Sequence, residues 1–205
     1  VVGELRDLNV ENIIVRSTVP PGTSAKLNVS FMPEFLTERN YKEDFRRNRD
    51  WIFGISPEHE PLKEKLTDLI NVCHNSGCID HSNVHFMSTT EAEFVKYFRN
   101  CFLACKVAFC NEFSTLCSAF GVSYESVRQV ASVDSRIGES HTCVPGPDGM
   151  KGFGGTCFPK DTRALLSTAA QKWIPCPVLE AVVARNEKID RSQQDWKLDK
   201  GRAVV

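Results

Sequence analysis

The 205-residue chain has a formal net charge of −1, with 41% hydrophobic and 25% charged residues. This balance is that of an ordinary folded protein and excludes a disordered, collagen-like or coiled-coil chain. The near-zero charge gives no basic surface for nucleic acid or an anionic membrane, and no apolar run reaches the ~18 residues of a membrane span. The start, Val1-Val2-Gly3-Glu4, is not a signal peptide and lacks an initiator Met. We therefore expect a piece of a longer cytoplasmic protein, with no nucleic-acid or membrane partner.

The first third of the chain alternates short apolar runs with helical segments, which predicts an α/β domain with a parallel sheet. The predicted strands cover residues 12–17, 28–32, 51–55 and 84–87. A helix is predicted from Ser56, as N-cap before Pro57, to about Cys73. Its apolar face is predicted to consist of Leu62, Leu66, Leu69 and Ile70.

The remainder of the chain is predicted to be all-α and built on one long helix. Ser88 and Glu91 have the spacing of a capping box. The helix that they begin should run to about Phe120, where Gly121 stops it. Further helices are predicted over residues 123–133, 161–173 and 178–194, with a Gly/Pro-rich loop over 138–156 and the start of a strand at 202–205.

The strongest chemical signal is the segment from Lys151 to Thr162, which reads KGFGGTCFPKDT. Three glycines within four positions let backbone amides come close to a ligand. Cys157 follows near a predicted helix start, where helix-end amides and Lys160 favour the nucleophilic thiolate. Asp161 is placed to order a water or to pair with a lysine. The alternative is a glycine loop with a bystander thiol.

Four other motifs accompany this loop: RSTVP at 16–20, MPEFLTE at 32–38, EFVKYFRN at 93–100 and DSRIG at 134–138. Together, the five motifs resemble those of the nucleotide-sugar dehydrogenases, especially the UDP-glucose 6-dehydrogenases, and they occur in the same order. The resemblance implies NAD-dependent oxidation of the C6 alcohol of UDP-glucose to UDP-glucuronate, through a cysteine thiohemiacetal and thioester. GDP-mannose and UDP-N-acetyl sugars are the alternative substrates.

The resemblance also implies roles for individual residues. Cys157 matches the nucleophile. Lys96 and Asn100 match a cation and an amide that face developing oxygen charge, and their spacing puts both on one helix face. The residues matched to water positioning and proton transfer are Thr18, Glu38 and Asp161. The residues matched to substrate binding are Glu34, Phe35, Leu36, Lys96, Asn100, Arg136, Lys151, Gly152, Phe153, Gly154 and Gly155. The residues matched to cofactor binding are Ser17, Thr18, Glu38 and Lys160. Taken singly, most of these side chains could also be ordinary surface groups.

The domain organisation implied by the resemblance has three parts. Residues 1–87 would end a Rossmann-like NAD-binding domain, 88–198 would form a central helical dimerisation and catalytic domain, and 199–205 would begin a UDP-sugar-binding domain. A homodimer through the long helix follows from the resemblance. No G-x-G-x-x-G motif occurs, so we expect the 205 residues alone to be inactive. The alternative from another functional class is a non-catalytic dimerisation module. The long Pro/Gly-rich loop at 138–151 leaves the identity of the substrate sugar undetermined.

A second cluster of candidate ligands is Cys73, Cys78, His81 and His85. Two thiolates and two imidazoles satisfy tetrahedral zinc. However, the interval between Cys78 and His81 is short for a zinc finger, and the second half should be entering a strand. We therefore favour a polar helix-to-strand connection with no metal. The other cysteines are expected to be mostly reduced core thiols.

Overall fold

The structure is a computed structural model, and it describes residues 1–37 and 40–198. The chain divides into two compact units, Val1–Tyr97 and a second unit that begins at Phe98. Glu38 and the predicted third domain at 199–205, including its strand at 202–205, lie outside the described residues.

The first unit contains a four-stranded sheet in the order β1-β2-β3-β4. The strands are β1 (Ile14–Val15), β2 (Ser30–Phe31), β3 (Asp50–Gly54) and β4 (Asn83–Met87). The β1–β2 and β3–β4 pairs are parallel, whereas β2 and β3 are antiparallel. The predicted parallel sheet is therefore present as a mostly parallel sheet, and the β2–β3 pair is its one antiparallel pairing within the described residues. A parallel connection usually needs a long crossover helix, and the described residues between β2 and β3 form one helix of only six residues.

The helices of the first unit are α1 (Val2–Asp7), α2 (Thr23–Lys26), α3 (Tyr41–Arg46) and α4 (Leu62–Asn75). The predicted helix start at Ser56 is wrong, because Pro57–His59 form a 3₁₀ turn and α4 begins only at Leu62. Pro61 has no N–H to donate to the carbonyl of Pro57, so an α-helix cannot continue through it. The Ser56 hydroxyl donates instead to Oδ1 of Asn28 at 2.8 Å.

Side chains from both faces of β3 are buried, as expected for a strand covered on two sides. Trp51 and Phe53 join the cluster formed with α4, whereas Ile52 lies in a separate cluster with Phe31. The buried residues of α4 are Leu62, Leu66 and Ile70. Leu69 was predicted to be on the same face but is 55% exposed, because the buried stripe follows a four-residue spacing that leaves Leu69 at its edge.

The long helix α5 (Thr89–Ala119) confirms the predicted signals at both of its ends. The Ser88 N–H donates to the Glu91 carboxylate at 2.8 Å, and the Glu91 N–H donates to the Ser88 hydroxyl oxygen at 3.3 Å. At the other end Gly121 has a φ of +67°, and the Val122 N–H closes the helix on the Cys117 carbonyl at 3.0 Å. No helix within the described residues is long and apolar enough to cross a membrane.

The rest of α5 belongs to the second unit, which is helical as predicted. Its other helices are α6 (Tyr124–Ala131), α7 (Cys157–Gln171) and α8 (Pro177–Arg185). The predicted start of α7 at Asp161 is four residues too late; Pro159 is tolerated because N–H groups in a first helical turn have no intrahelical acceptor. The predicted end of α8 at Gln194 is too late, since the chain enters a π turn at Asn186–Asp190.

Candidate active site

Cys157 is the first residue of α7, and it is exposed. The first N–H groups of a helix lack intrahelical acceptors and carry its positive dipole end. The sequence placed this cysteine near a helix start, and the structure places it at the first helical position. This position favours a nucleophilic sulfur.

One turn further along α7, the Asp161 carboxylate is fully buried and has two partners. The side-chain amide of Asn100 donates to its Oδ2 at 2.6 Å. The Lys160 ammonium lies 3.0 Å from its Oδ1 and is itself half-exposed. The expected pairing of Asp161 with a lysine is therefore present. The arrangement gives a buried carboxylate one cationic partner that reaches solvent.

Two thiols on α5 lie in a different environment from that of Cys157. Burial, followed by the negative charge of Asp161, raises the pKa of Cys101 to about 12. Burial also raises the pKa of Cys105. Both thiols therefore stay protonated at neutral pH, and Cys157 differs from them in exposure as well as in position.

Two backbone amides of the glycine loop already have partners within the protein. The Gly152 N–H donates to Oδ1 of Asn111 at 3.1 Å. The Phe153 N–H donates to Oδ1 of Asn186 at 2.8 Å. The expectation that the amides of the loop face a ligand is therefore wrong for the N–H groups of Gly152 and Phe153.

Gly154 packs closely against another side chain. A Cβ atom at this position would lie 2.3 Å from Cζ of Arg191, which is inside any permitted contact. Arg191 is 1% exposed and is paired with Asp148 at 2.5 Å and Asp195 at 2.6 Å. Gly154 thus contributes to the packing of the second unit.

Sequence reasoning missed Asn111, Asn186 and Arg191. Each is buried yet comes from a segment whose local pattern predicts only a helix. The signal that could have found Arg191 is the presence of Asp195 at helical spacing. Nothing in the local sequence indicates that either asparagine contacts the glycine loop.

In the first unit, Lys96 and the segment 34–36 are brought together. Lys96 is 7% exposed, donates to the backbone carbonyl of Glu34, and lies 5.3 Å from the ring centroid of Phe35. The Glu34 carboxylate accepts a hydrogen bond from the Leu36 N–H at 3.0 Å. Lys96 is therefore a buried, partnered cation and not part of a solvated helix face.

The segment that follows Thr18 is held by the first turns of α5. Glu93 is fully buried, and its carboxylate accepts a hydrogen bond from the Ser24 N–H at 2.8 Å. The Tyr97 hydroxyl donates to the Val19 carbonyl at 3.2 Å. Thr18 is half-buried and its neighbour Ser17 is exposed.

Two remaining candidates are on the surface of the second unit. Arg136 is 88% exposed and forms an ion pair with Asp134 at 2.5 Å, so its contacts in this structure are local. Lys151, at the start of the glycine loop, is exposed.

The cluster considered for zinc does not assemble. Within residues 1–37 and 40–198, no group of three or more His, Cys, Asp or Glu side chains could hold a metal ion. Nε2 of His85 lies 2.8 Å from Oδ1 of Asp50, and Cys78 accepts a hydrogen bond from the Ser76 hydroxyl at 3.3 Å.

Comparison with known proteins agrees with the motif pattern. Residues 90–188 match the model of the UDP-glucose/GDP-mannose dehydrogenase family, central domain. The UDP-glucose 6-dehydrogenase of Pseudomonas aeruginosa is 35% identical over 195 residues, which cover 86% of this chain and 40% of that protein. The chain belongs to this family. The UDP-glucose 6-dehydrogenase of Rhizobium meliloti is 33% identical over 193 residues, covering 88% of the chain and 42% of the relative.

Solved structures of the family share the fold. A UDP-glucose dehydrogenase from Pyrobaculum islandicum superposes with a TM-score of 0.72 at 30% identity, covering 91% of this chain and 44% of that one. A UDP-D-ManNAc dehydrogenase from Pyrococcus horikoshii gives 0.69 at 26% identity, covering 86% and 42%. The predicted fold class, a sheet followed by helices, is thereby confirmed. The chain spans about two fifths of the length of the curated relatives it matches.

Proposed function

We propose that this chain supplies the catalytic-cysteine region of an NAD-dependent enzyme that oxidises the C6 alcohol of UDP-glucose to UDP-glucuronate. The observation that carries the proposal is the exposed Cys157 at the first position of α7, one turn before the buried Asp161 and its partners Asn100 and Lys160. The family and the named activity of the relatives support the substrate class.

The chemistry requires a nucleophile at the sugar C6. The first oxidation converts the C6 alcohol to an aldehyde. The thiolate of Cys157 then adds to the aldehyde carbon, the carbonyl electron pair moves to oxygen, and the oxygen takes a proton to give a thiohemiacetal. Once the second oxidation has produced a thioester, water attacks its carbonyl carbon and the carbon–sulfur bond breaks. The carboxylate leaves and the thiol is restored.

The other candidate residues of the second unit have complementary proposed roles. The amide of Asn100 donates towards oxygen charge that develops at C6, and its hydrogen bond to Asp161 fixes its orientation. Asp161 with Lys160 orients the attacking water and takes its proton. Arg136, Lys151 and the glycine loop at 152–155 contribute to nucleotide-sugar binding.

Candidates in the first unit keep the roles implied by the resemblance. Lys96 supplies positive charge for the oxygen, Thr18 and Glu38 position water and move protons, and Glu34, Phe35 and Leu36 contact the sugar. The hydrogen bond from Lys96 to the Glu34 carbonyl supports a shared role for these two residues.

NAD, when bound by the full-length protein, would be the hydride acceptor of both oxidations. The residues present here do not fit a complete NAD site, because the 205-residue sequence has no G-x-G-x-x-G turn for the pyrophosphate. The residues proposed as peripheral contacts to NAD are Ser17, Thr18, Glu38 and Lys160.

A cytoplasmic location is proposed as well, and it is supported by nine cysteines that are all free.

We also propose a homodimer through α5. In the second unit, α5 and the residue directly after it expose a row of aromatic side chains: Phe98, Phe102, Phe109 and Phe113 on the helix, and Phe120 just past its end. Phe98 and Phe102 recur after eleven residues as Phe109 and Phe113, a repeat that keeps one face of a nearly straight helix apolar. Such a surface is suited to a second copy of the same helix.

The test uses the full-length protein, meaning the complete product of the gene that encodes this chain. NADH formation is measured with UDP-glucose, GDP-mannose and UDP-N-acetylmannosamine. The proposal predicts turnover of UDP-glucose with about two NADH per sugar, because an alcohol becomes a carboxylate. Preference for another sugar would contradict the substrate, and no NADH with any sugar would favour a non-catalytic dimerisation module.

A further inference from the structure

Both backbone polar groups of Phe153, in the glycine loop, form hydrogen bonds with a single buried side chain. Asn186, at the end of α8, accepts a hydrogen bond from the Phe153 N–H at 2.8 Å and donates one to the Phe153 carbonyl at 2.9 Å. Asn186 is 1% exposed. Both polar groups of one residue in the loop are thus satisfied by one amide, as a neighbouring strand would satisfy them.

The contact leaves no room for a side chain on the preceding residue. Gly152 has a φ of +70°, and a Cβ atom there would lie 2.4 Å from Oδ1 of Asn186. The Gly152 N–H donates to Asn111 of α5 at 3.1 Å. The loop is therefore fixed between two asparagines from two different helices.

The same loop residue touches the start of the catalytic helix. The Phe153 ring meets the Phe158 ring edge-on, with centroids 6.1 Å apart and an interplanar angle of 78°. Phe158 directly follows Cys157, and its carbonyl accepts a hydrogen bond from the Thr162 hydroxyl at 2.7 Å. A displacement of Phe153 would therefore also displace Phe158 and the first turn of α7.

We infer that Asn186 is a positioning residue for Cys157: by holding both backbone polar groups of Phe153, it fixes where α7 begins and where its first side chain lies. The inference rests on the proposed function for its catalytic consequence. Its structural content, a coupling between Asn186 and the Cys157 thiol, can be measured without any turnover.

The experiment compares Asn186→Asp and Asn186→Ala in the full-length protein. The aspartate keeps the shape and the acceptor for the Phe153 N–H, but it places a carboxylate oxygen against the Phe153 carbonyl. Glu180→Ala, at an exposed position of α8, is the matched control. The readout is the rate of iodoacetamide labelling of Cys157, located by peptide mass spectrometry, relative to the exposed Cys78 of the first unit.

We expect Asn186→Asp to lower the ratio of Cys157 to Cys78 labelling by about tenfold, because the sulfur leaves the helix start that favours its reactive form. Turnover with UDP-glucose should fall by about tenfold or more, since small misplacements of a reacting group are costly. Glu180→Ala should leave both unchanged. Thermal unfolding of each variant is followed in parallel.

A labelling ratio within about twofold of wild type in folded Asn186→Asp and Asn186→Ala proteins would overturn the inference. A parallel rise of labelling at both cysteines would also overturn it, because it would report general loosening. If the wild-type protein oxidises no sugar but the labelling ratio still falls, the proposed function fails and the coupling stands.

Discussion

At the scale of single residues, nine free cysteines in one chain have different environments. Cys101, Cys110 and Cys117 are buried on α5, as expected for small apolar side chains. Cys157 is exposed at a helix start, with a buried carboxylate one turn away. Environment, rather than residue type, therefore distinguishes one reactive candidate among many thiols.

The raised pKa of Cys101 gives a direct labelling test. A pKa of about 12 means that deprotonation is complete only above that pH. At about pH 8.5 the thiolate fraction would be roughly 0.03%. Iodoacetamide should therefore label Cys157 and leave Cys101 unmodified in the folded protein, as read by peptide mass spectrometry. Labelling of Cys101 as fast as of the exposed Cys143 would contradict the assigned environments.

At the scale of elements, the sequence predicts best where the signals are local. The capping box at Ser88 and the glycine at position 121 lie within a few residues of the helix ends that they determine, and both ends of α5 agree with the structure. The late predicted start of α7 shows the limit of local rules, since Pro159 stops a helix interior but is permitted in a first turn.

Non-local features could not be predicted in the same way. The antiparallel pairing of β2 with β3 depends on where a short connection leads the chain. The contact of Asn186 with Phe153 joins residues 33 positions apart, and no periodicity encodes it. For the candidate site, the sequence indicates Cys157 and a pairing of Asp161 with a lysine, but it does not indicate the side chains that hold the glycine loop.

The capping box makes the stability of α5 depend on pH. Hydrogen bonds from the Ser88 side chain and then its backbone lower the pKa of Glu91 from 4.5. Its ionised form is favoured in the folded state, so its stabilisation is full above 4.5 and is lost as pH falls through the lowered value. Glu91→Gln should lower the midpoint of thermal unfolding at about pH 7, and the difference from wild type should shrink towards about pH 3.5. Glu11→Gln, in an exposed loop, is the control; a difference that is constant with pH would contradict the account.

The end of α7 offers a stabilising substitution. Trp173 has a φ of +58° and a side chain that is 93% exposed, at a position where helices usually carry glycine. Trp173→Gly should raise the free energy of unfolding by about 0.5 kcal/mol, because relief of the left-handed conformation exceeds the added chain entropy. Lys172→Gly, at a φ of −105°, should destabilise instead. An unfolding midpoint that falls in Trp173→Gly would show that the indole makes a stabilising contact.

At the scale of the whole molecule, the chain holds two compact units and about two fifths of the length of its curated relatives. The family match at residues 90–188 includes Lys96, Asn100, Cys157 and Asp161. Because the 205 residues contain no dinucleotide-binding turn, we expect them to produce no NADH by themselves. Robust turnover by these residues alone would contradict that expectation.

The proposed dimer can be tested at the aromatic row of α5. Phe102 is 59% exposed and its ring stacks on that of Phe98, with centroids 6.2 Å apart. Phe102→Glu places a charge in the proposed interface and should convert a dimer into a monomer in sedimentation equilibrium. Thr115→Glu adds the same charge at an exposed position on the opposite side of the helix and should leave the dimer intact. If the two variants have the same oligomeric mass in solution, the dimer interface does not lie on the aromatic row of α5.

The central claim is that Cys157 forms the covalent bond to the substrate, and product analysis of Cys157→Ser tests it most directly. The full-length protein is incubated with UDP-glucose and NAD, and the carboxylate product is measured by mass spectrometry. We predict that Cys157→Ser forms no UDP-glucuronate, whereas Cys143→Ser, at another exposed thiol of the second unit, forms it at the wild-type rate. Full retention of carboxylate formation in Cys157→Ser would contradict the account.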